Sequence, residues 1–365
     1  MAIDFVKLKR TYDLYAAEYE KAALRALRSG WYILGKELEA FESAFAEYMG
    51  VPYCIGINSG TDALILAVRA LGIGPGDEVI VPANTYIASV MGITENGATP
   101  VFVEPDVYHG IDAAKIEAAI TERTKAILPV HLYGQACDME AICAIAKKHN
   151  LYVIEDCAQC HGARFQGKLT GSLGTIGCFS FYPTKPCGGL GDGGALVTSD
   201  SALARKLRMM RNYGSEVKYV NEFSGVNSRL DEVQAAVLQV SLAHLEESNN
   251  YRRAIARRYL SEINCDAVEL PKTRDGADHV YHVFPMLCKD RDAMQQHLLE
   301  SGVKTLSHYP IPPHLQQCYK ELGYGVGSFP ISEQYAAQEL SLPIYNGMPE
   351  DEVTAVIEAV NSYGK

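Results

Sequence analysis

YCIGINSGTDALILAVRALGIGPGDEVIVP, residues 53–82, joins a short apolar run, a helix-period segment and a second short apolar run. YCIGI (53–57) and EVIVP (78–82) read as buried strands. TDALILAVRALG between them repeats its apolar residues at helical spacing and ends on Gly72, where a left-handed stop belongs. The same alternation continues outward through PVFVE (100–104), AILPV (126–130), LYVIE (151–155), CFSFY (178–182) and ALVTS (195–199). Helical segments intervene at NTYIASVMGITENG, DAAKIEAAI and DMEAICAIAKKHN, with Gly97 as a stop and Asp112 and Asp138 as N-caps. Strands alternating with helices predict an α/β fold with a mostly parallel mixed sheet, buried on both faces.

The alternation ends near Thr198. Residues 228–263 lack Pro and Gly and predict one long helix, kinked near 248–250. A smaller α/β unit is expected after it. Its parts are a strand at HVYHVFPML (279–287), a helix at RDAMQQHLLES, a strand near VKTLS, and helices over ISEQYAAQELS and EDEVTAVIEAV. The expected division is a large domain over 1–241 and a small C-terminal domain over 242–365.

The 365 residues are 48% apolar and 21% charged, which excludes a disordered chain and a small disulfide scaffold. Thirty-three Lys and Arg against 44 Asp and Glu give a net charge of −11, which argues against nucleic acid as the main partner. No export signal or membrane-spanning run is read, so a cytoplasmic protein with ten reduced cysteines is expected.

Three motifs carry chemistry. NSGTDAL (58–64) follows a strand and opens a helix, so Ser59, Gly60 and Thr61 read either as an N-cap or as a phosphate cup. EDCAQC (155–160) ends an apolar strand, where ligands of open α/β sheets sit. A half-buried Asp156 there stays ionised only beside a cation; the plainer reading is a loop cap. Cys157 and Cys160 form CxxC beside His161, but no second pair completes a zinc site and no thioredoxin-like context supports redox use, so no metal is expected. FSFYPTKPCGGLGDGGALVTS (179–199) sets Lys185 before a glycine-rich loop. That loop runs into a strand, which excludes a dinucleotide fingerprint and disfavours a nicotinamide dehydrogenase. The glycines beside Lys185 read as room for a bulky planar ligand. A phosphate cup, a strand-end carboxylate and a lysine together meet the three demands of pyridoxal 5'-phosphate.

These motifs resemble the DegT/DnrJ/EryC family of sugar aminotransferases, within the fold-type I (aspartate aminotransferase-like) pyridoxal-phosphate enzymes. The resemblance extends through GKELEAFESAFAEYMG (35–50), VIEDCAQCHGA (153–163), GCFSFYPTKP (177–186), RNYGS (211–215) and NSRLDEVQAA (227–236). It implies Lys185 as the Schiff-base lysine and general acid/base, and Asp156 as partner of the pyridinium nitrogen. It implies Tyr86 stacked on the ring, Gln159 at the ring hydroxyl, and Gly60, Thr61 and Ser180 at the phosphate, where the cup reading also sets Ser59. Asn227 would reach the cofactor of a second subunit, which implies a homodimer with shared sites.

The implied reaction takes the amino group from L-glutamate, through a pyridoxamine phosphate form, to a nucleotide-linked keto-sugar. Gln159 in AQCHGA, and TLSHYPIPPH (305–314), resemble the branch acting at C-3 of dTDP-3-keto-6-deoxyhexoses, with His308 and Tyr309 near the sugar. Tyr182 is a further candidate to face the sugar, and His308 also reads as a structural histidine before a Pro-rich turn. The alternatives are a C-4 aminotransferase and a non-catalytic protein that keeps the fold. Pro186 and Cys187 depart from the family's usual pair after the lysine.

Overall fold

A computed structural model describes residues 2–364. Seven strands form one sheet in the order Tyr53–Ile57, Gly194–Thr198, Ile176–Ser180, Tyr152–Asp156, Thr124–Ile127, Glu78–Pro82 and Thr99–Val103. Gly194–Thr198 alone runs antiparallel to its neighbours. All five residues of Glu78–Pro82 are buried, as a sheet covered on both faces requires. The α/β expectation holds strand by strand, with small shifts. The run 178–182 moves back to Ile176–Ser180, because the chain turns after Phe181 and the Lys185 N–H closes on the Tyr182 carbonyl at 2.8 Å. The run 126–130 shortens to Thr124–Ile127, ahead of Pro129, which has no N–H for the ladder. Asp112 and Asp138 cap their helices, and Gly72 and Gly97 are left-handed.

The long helix expected over 228–263 is two helices, Glu232–Ala243 and Leu245–Glu262. They break at His244, not near 248–250. The His244 ring stacks on Tyr15 at 3.7 Å and lies 3.2 Å from the Glu18 carboxylate, contacts no local pattern announces. The C-terminal part departs further from the sequence reading. Its three-stranded sheet is Val268–Glu269, Phe284–Cys288 and Glu339–Leu342, so the strand expected at 279–287 begins late. Residues near 303–307 make only isolated bridges, from Val303 to Ile3 and from Leu306 to Ser341. The helix expected over 331–341 stops at Gln338, and Glu339–Leu342 is a wholly buried strand on Phe284–Leu287. Burial against a sheet outweighs the helical propensity of that segment.

The N-terminus closes onto this C-terminal core. Ile3 is buried with Phe284, Leu298 and Val303. Arg10 grips the buried Glu352 with two bonds of 2.7 and 2.9 Å, and Lys7 and Tyr345 add bonds of 3.1 and 2.8 Å. Burial alone would push the Glu352 carboxyl up, but these bonds overcome it and hold it down at about 2. No helix among the described residues is long and apolar enough to cross a membrane.

Glu352→Gln should therefore cost about 2 kcal/mol at neutral pH, between the ranges for exposed and buried ion pairs. A folded pKa below the unfolded value gives stability that is present above about pH 4.5 and lost as pH falls toward 2. Urea denaturation of both proteins should show the gap narrowing as pH falls through that window. A gap that stays constant contradicts the assignment.

Candidate active site

The loops after the parallel strands converge on one cavity of about 470 Å³, in the size range of small-molecule sites. It lies at the carboxyl ends of Tyr53–Ile57, Tyr152–Asp156 and Ile176–Ser180.

Side chains alternate along a strand, and here the alternation separates two neighbouring carboxylates. Glu155, wholly buried, accepts main-chain N–H bonds from Gly171, Leu173 and Gly174 at 2.6–2.8 Å and lies 2.9 Å from His131 Nε2. Asp156 lines the cavity instead. It accepts the Ser89 hydroxyl at 2.7 Å and the Ala158 N–H at 3.1 Å. Burial pushes its pKa up; Ser89, Ala158 and the charge of Lys185 oppose this. Asp156 forms no salt bridge among the described residues, and the cationic group whose charge acts on it most is Lys185.

Lys185 stands on the turn after Ile176–Ser180, in the same cavity. Burial lowers its pKa to about 8, partly countered by Asp156. The glycine loop after it has a different purpose from the one expected. A Cβ on Gly188 would meet the Pro183 carbonyl at 2.5 Å, and Cβ atoms on Gly189 and Gly191 would meet Gln234 at 2.8 and 2.7 Å. These glycines let the loop close on protein, with the Leu190 N–H donating to Gln234 at 2.9 Å. Cys187 is wholly buried in the neighbouring core, so the Pro186–Cys187 pair packs inward.

The helix Gly60–Ala70 points its N-terminus into the cavity. Ser59 accepts the Asp62 N–H at 3.1 Å, so the capping reading is correct, and Ser59, Gly60, Thr61 and Ser180 also line one end of the cavity. Gly60 is required there, because a Cβ would lie 2.5 Å from that of Ser180. Tyr86, half-exposed, faces Tyr309 with ring centres 5.1 Å apart. Gln159 accepts the Tyr133 N–H at 2.6 Å and donates to the Tyr309 hydroxyl at 3.0 Å. Tyr182 and His308 complete the wall.

One predicted residue lies elsewhere. Asn227 is exposed on a loop, bridged to Asn212, and does not line this cavity. Ser89, Thr85, Thr184, Asp192 and His282 line it without having been read from sequence. Ser89 alone left a signal, since it follows Tyr86 by one helical turn. His161, next to Cys160 in sequence, packs its ring against Phe179 and Phe181. His131 is the histidine within 4.8 Å of Cys157 and Cys160. Its ring nitrogens are already engaged by Glu155 and the Cys137 N–H, which leaves no lone pair free for an ion.

The residues fit pyridoxal 5'-phosphate part by part. The capped helix end and Ser180 suit its phosphate, the Asp156 carboxylate suits a protonated ring nitrogen, and Lys185 is a buried amine in reach of the same space.

Comparison with known proteins agrees with this geometry. The DegT/DnrJ/EryC1/StrS aminotransferase family matches residues 14–361. A dTDP-3-amino-3,6-dideoxy-alpha-D-galactopyranose transaminase of Aneurinibacillus thermoaerophilus is 55% identical over 363 residues, covering 99% of each chain. The crystal structure of S. venezuelae DesV in complex with a ketimine intermediate superposes with a TM-score of 0.97 at 49% identity, covering 99% of this chain and 98% of that one. NtdA from Bacillus subtilis, solved with the bound cofactor PMP, superposes with a TM-score of 0.92 at 33% identity, covering 98% of this chain and 84% of that one. The chain belongs to the DegT/DnrJ/EryC1/StrS aminotransferase family.

Proposed function

We propose that the protein transfers the amino group of L-glutamate to C-3 of a dTDP-3-keto-6-deoxyhexose, giving a dTDP-3-amino-3,6-dideoxyhexose. The observation that carries this reading is a buried amine, Lys185, sharing one cavity with a buried carboxylate, Asp156, that has no salt-bridge partner. The choice of C-3 and of dTDP is supported by the relative of 55% identity that bears that activity in its name.

Pyridoxal phosphate, when bound, supplies a carbonyl that carries the amino group and a ring that absorbs the negative charge on a carbon losing its proton. The chain's own residues do the rest. Ser59, Thr61 and Ser180, with the first N–H groups of Gly60–Ala70, would hold the phosphate. Asp156, which Ser89 orients through its hydroxyl, would hold the proton on the ring nitrogen. Tyr86 and Gln159, which line the same cavity, would hold the ring, Tyr86 by stacking and Gln159 through its amide at the ring hydroxyl. Lys185 Nζ, its pKa lowered to about 8 by burial, would take the proton from the donor's α-carbon and deliver it on the far side of the transferred nitrogen, to the carbon that the cofactor's carbonyl supplies. Tyr182, His308 and Tyr309 face the sugar.

The proposal includes a homodimer. Asn227, exposed and outside its own cavity, is free to reach a second copy's site. It also includes a large unit over 1–241 and a small one over 242–365, with Ile3 crossing to the second core. The ten free cysteines suit a reducing cytoplasm, and an amino-sugar of this kind suits a surface polysaccharide such as O-antigen.

Purified holoenzyme given glutamate alone should release about one 2-oxoglutarate per site, the first half of a two-stage transfer. Lys185→Ala should release none over the same time, because its proton carrier is missing; equal release by both proteins contradicts the assignment. Sedimentation should find a dimer, and a fully active monomer contradicts the shared site.

A further inference from the structure

His308 is braced from behind by two buried residues that have no part in the scheme above. Its Nδ1 lies 2.8 Å from the Ser341 hydroxyl, and that hydroxyl also meets Glu339 Oε1. The other oxygen of Glu339 accepts the main-chain N–H of His308. Glu339 and Ser341 sit on the buried strand Glu339–Leu342 and are fully enclosed. The Tyr133 hydroxyl donates to the His308 carbonyl and fixes the backbone from the other side.

Donor and acceptor accounting then fixes the ring. An ionised carboxylate only accepts, so the Ser341 proton goes to Glu339. The Ser341 oxygen is left to accept, so the His308 proton sits on Nδ1. Burial, with the nearby Lys185, lowers the His308 pKa to about 4, so the ring is neutral at physiological pH. Nε2 therefore carries a lone pair, bonds to nothing among the described residues, and belongs to a ring that lines the cavity. Tyr309 beside it has the opposite polarity. Gln159 Nε2 donates to its oxygen, which leaves the Tyr309 proton for another acceptor.

We propose that Glu339 and Ser341 are positioning residues that keep the His308 proton on Nδ1, so that Nε2 accepts a hydrogen bond from a sugar hydroxyl. The inference rests on the keto-sugar reading above. A ketone oxygen cannot donate, so Nε2 turns it away and selects a hydroxyl, whereas Tyr309 suits an acceptor. The pair thus orients a sugar in which a carbonyl and a hydroxyl are neighbours.

The relay has a pH limit. Burial holds the Glu339 carboxyl up at about 7, against bonds from Ser341 and the His308 N–H and the charge of Arg291. The other groups facing Glu339 are Tyr133, Tyr309 and Cys288, all held neutral by burial. Once protonated, Glu339 donates to Ser341, Ser341 donates to Nδ1, and the ring proton moves to Nε2. The acceptor is therefore present above about pH 7 and lost below it.

The test is ¹⁵N NMR of the histidine ring nitrogens in the full-length holoenzyme, with His308→Gln to assign the signals. At pH 8 Nε2 should be unprotonated, and at pH 6 it should carry the proton. Ser341→Ala should raise the KM for the keto-sugar about tenfold, the scale of one lost hydrogen bond, with the KM for glutamate moving less than about twofold. Glu339→Gln, similar in shape but uncharged, should give the same split and a flatter pH profile. A protonated Nε2 in the native enzyme at pH 8, or two KM values that rise together, overturns the relay. An enzyme that consumes no glutamate contradicts the transaminase reading instead, and the ring-nitrogen spectrum still decides the relay.

Discussion

Two adjacent carboxylates on one buried strand set the terms for the rest of the molecule. Glu155 is saturated by three main-chain N–H groups and His131, so it ties the strand Tyr152–Asp156 to the loop over 171–174. Asp156, one residue on, points to the other face and has only a hydroxyl and one N–H. The first carboxylate is satisfied by the protein and makes the strand rigid. The second is held in place by that rigidity and left short of positive charge. A site built on a pinned strand keeps its geometry without a ligand to enforce it.

The packing behind the sheet and the carboxyl ends of its strands then divide the work. Behind it, buried aromatic and aliphatic side chains around Phe41, Phe45, Phe179 and Phe181 pack with the inward-facing Cys187. At the carboxyl ends of the strands, a helix N-terminus, a lysine turn and the loop bearing His308 and Tyr309 enclose the cavity. A chain with a net charge of −11 repels an anionic nucleotide sugar at long range. Recognition therefore depends on donors inside the cavity, and the precise state of each ring nitrogen and hydroxyl there matters more than surface charge.

Local pattern made the α/β sheet legible. Each of its seven strands was visible as an apolar run, since a strand buried on both faces must be apolar throughout. The cavity was legible too: every predicted site residue except Asn227 lines it, because strand ends, caps and the lysine turn are local features. What the sequence hid depends on distant partners. Glu339–Leu342 looks helical and becomes a strand only because Phe284–Leu287 is there to pair with it. His244 breaks a helix because Tyr15 stacks on it, and Ile3 finds its core some 300 positions away. The glycines after Lys185 made room for Gln234, where sequence alone pointed to a ligand. His131, and not His161, joins Cys157 and Cys160, because the fold and not the motif decides which side chains meet.

The central claim is that this cavity delivers nitrogen to C-3 of a nucleotide-linked keto-sugar. The most direct measurement gives the purified enzyme ¹⁵N-glutamate with dTDP-3-keto- and dTDP-4-keto-6-deoxyhexose in separate reactions, and locates the label in the product sugar by NMR. The account predicts ¹⁵N bonded to C-3 from the 3-keto substrate and no product from the 4-keto substrate. Label at C-4, or transfer to neither sugar, would contradict it.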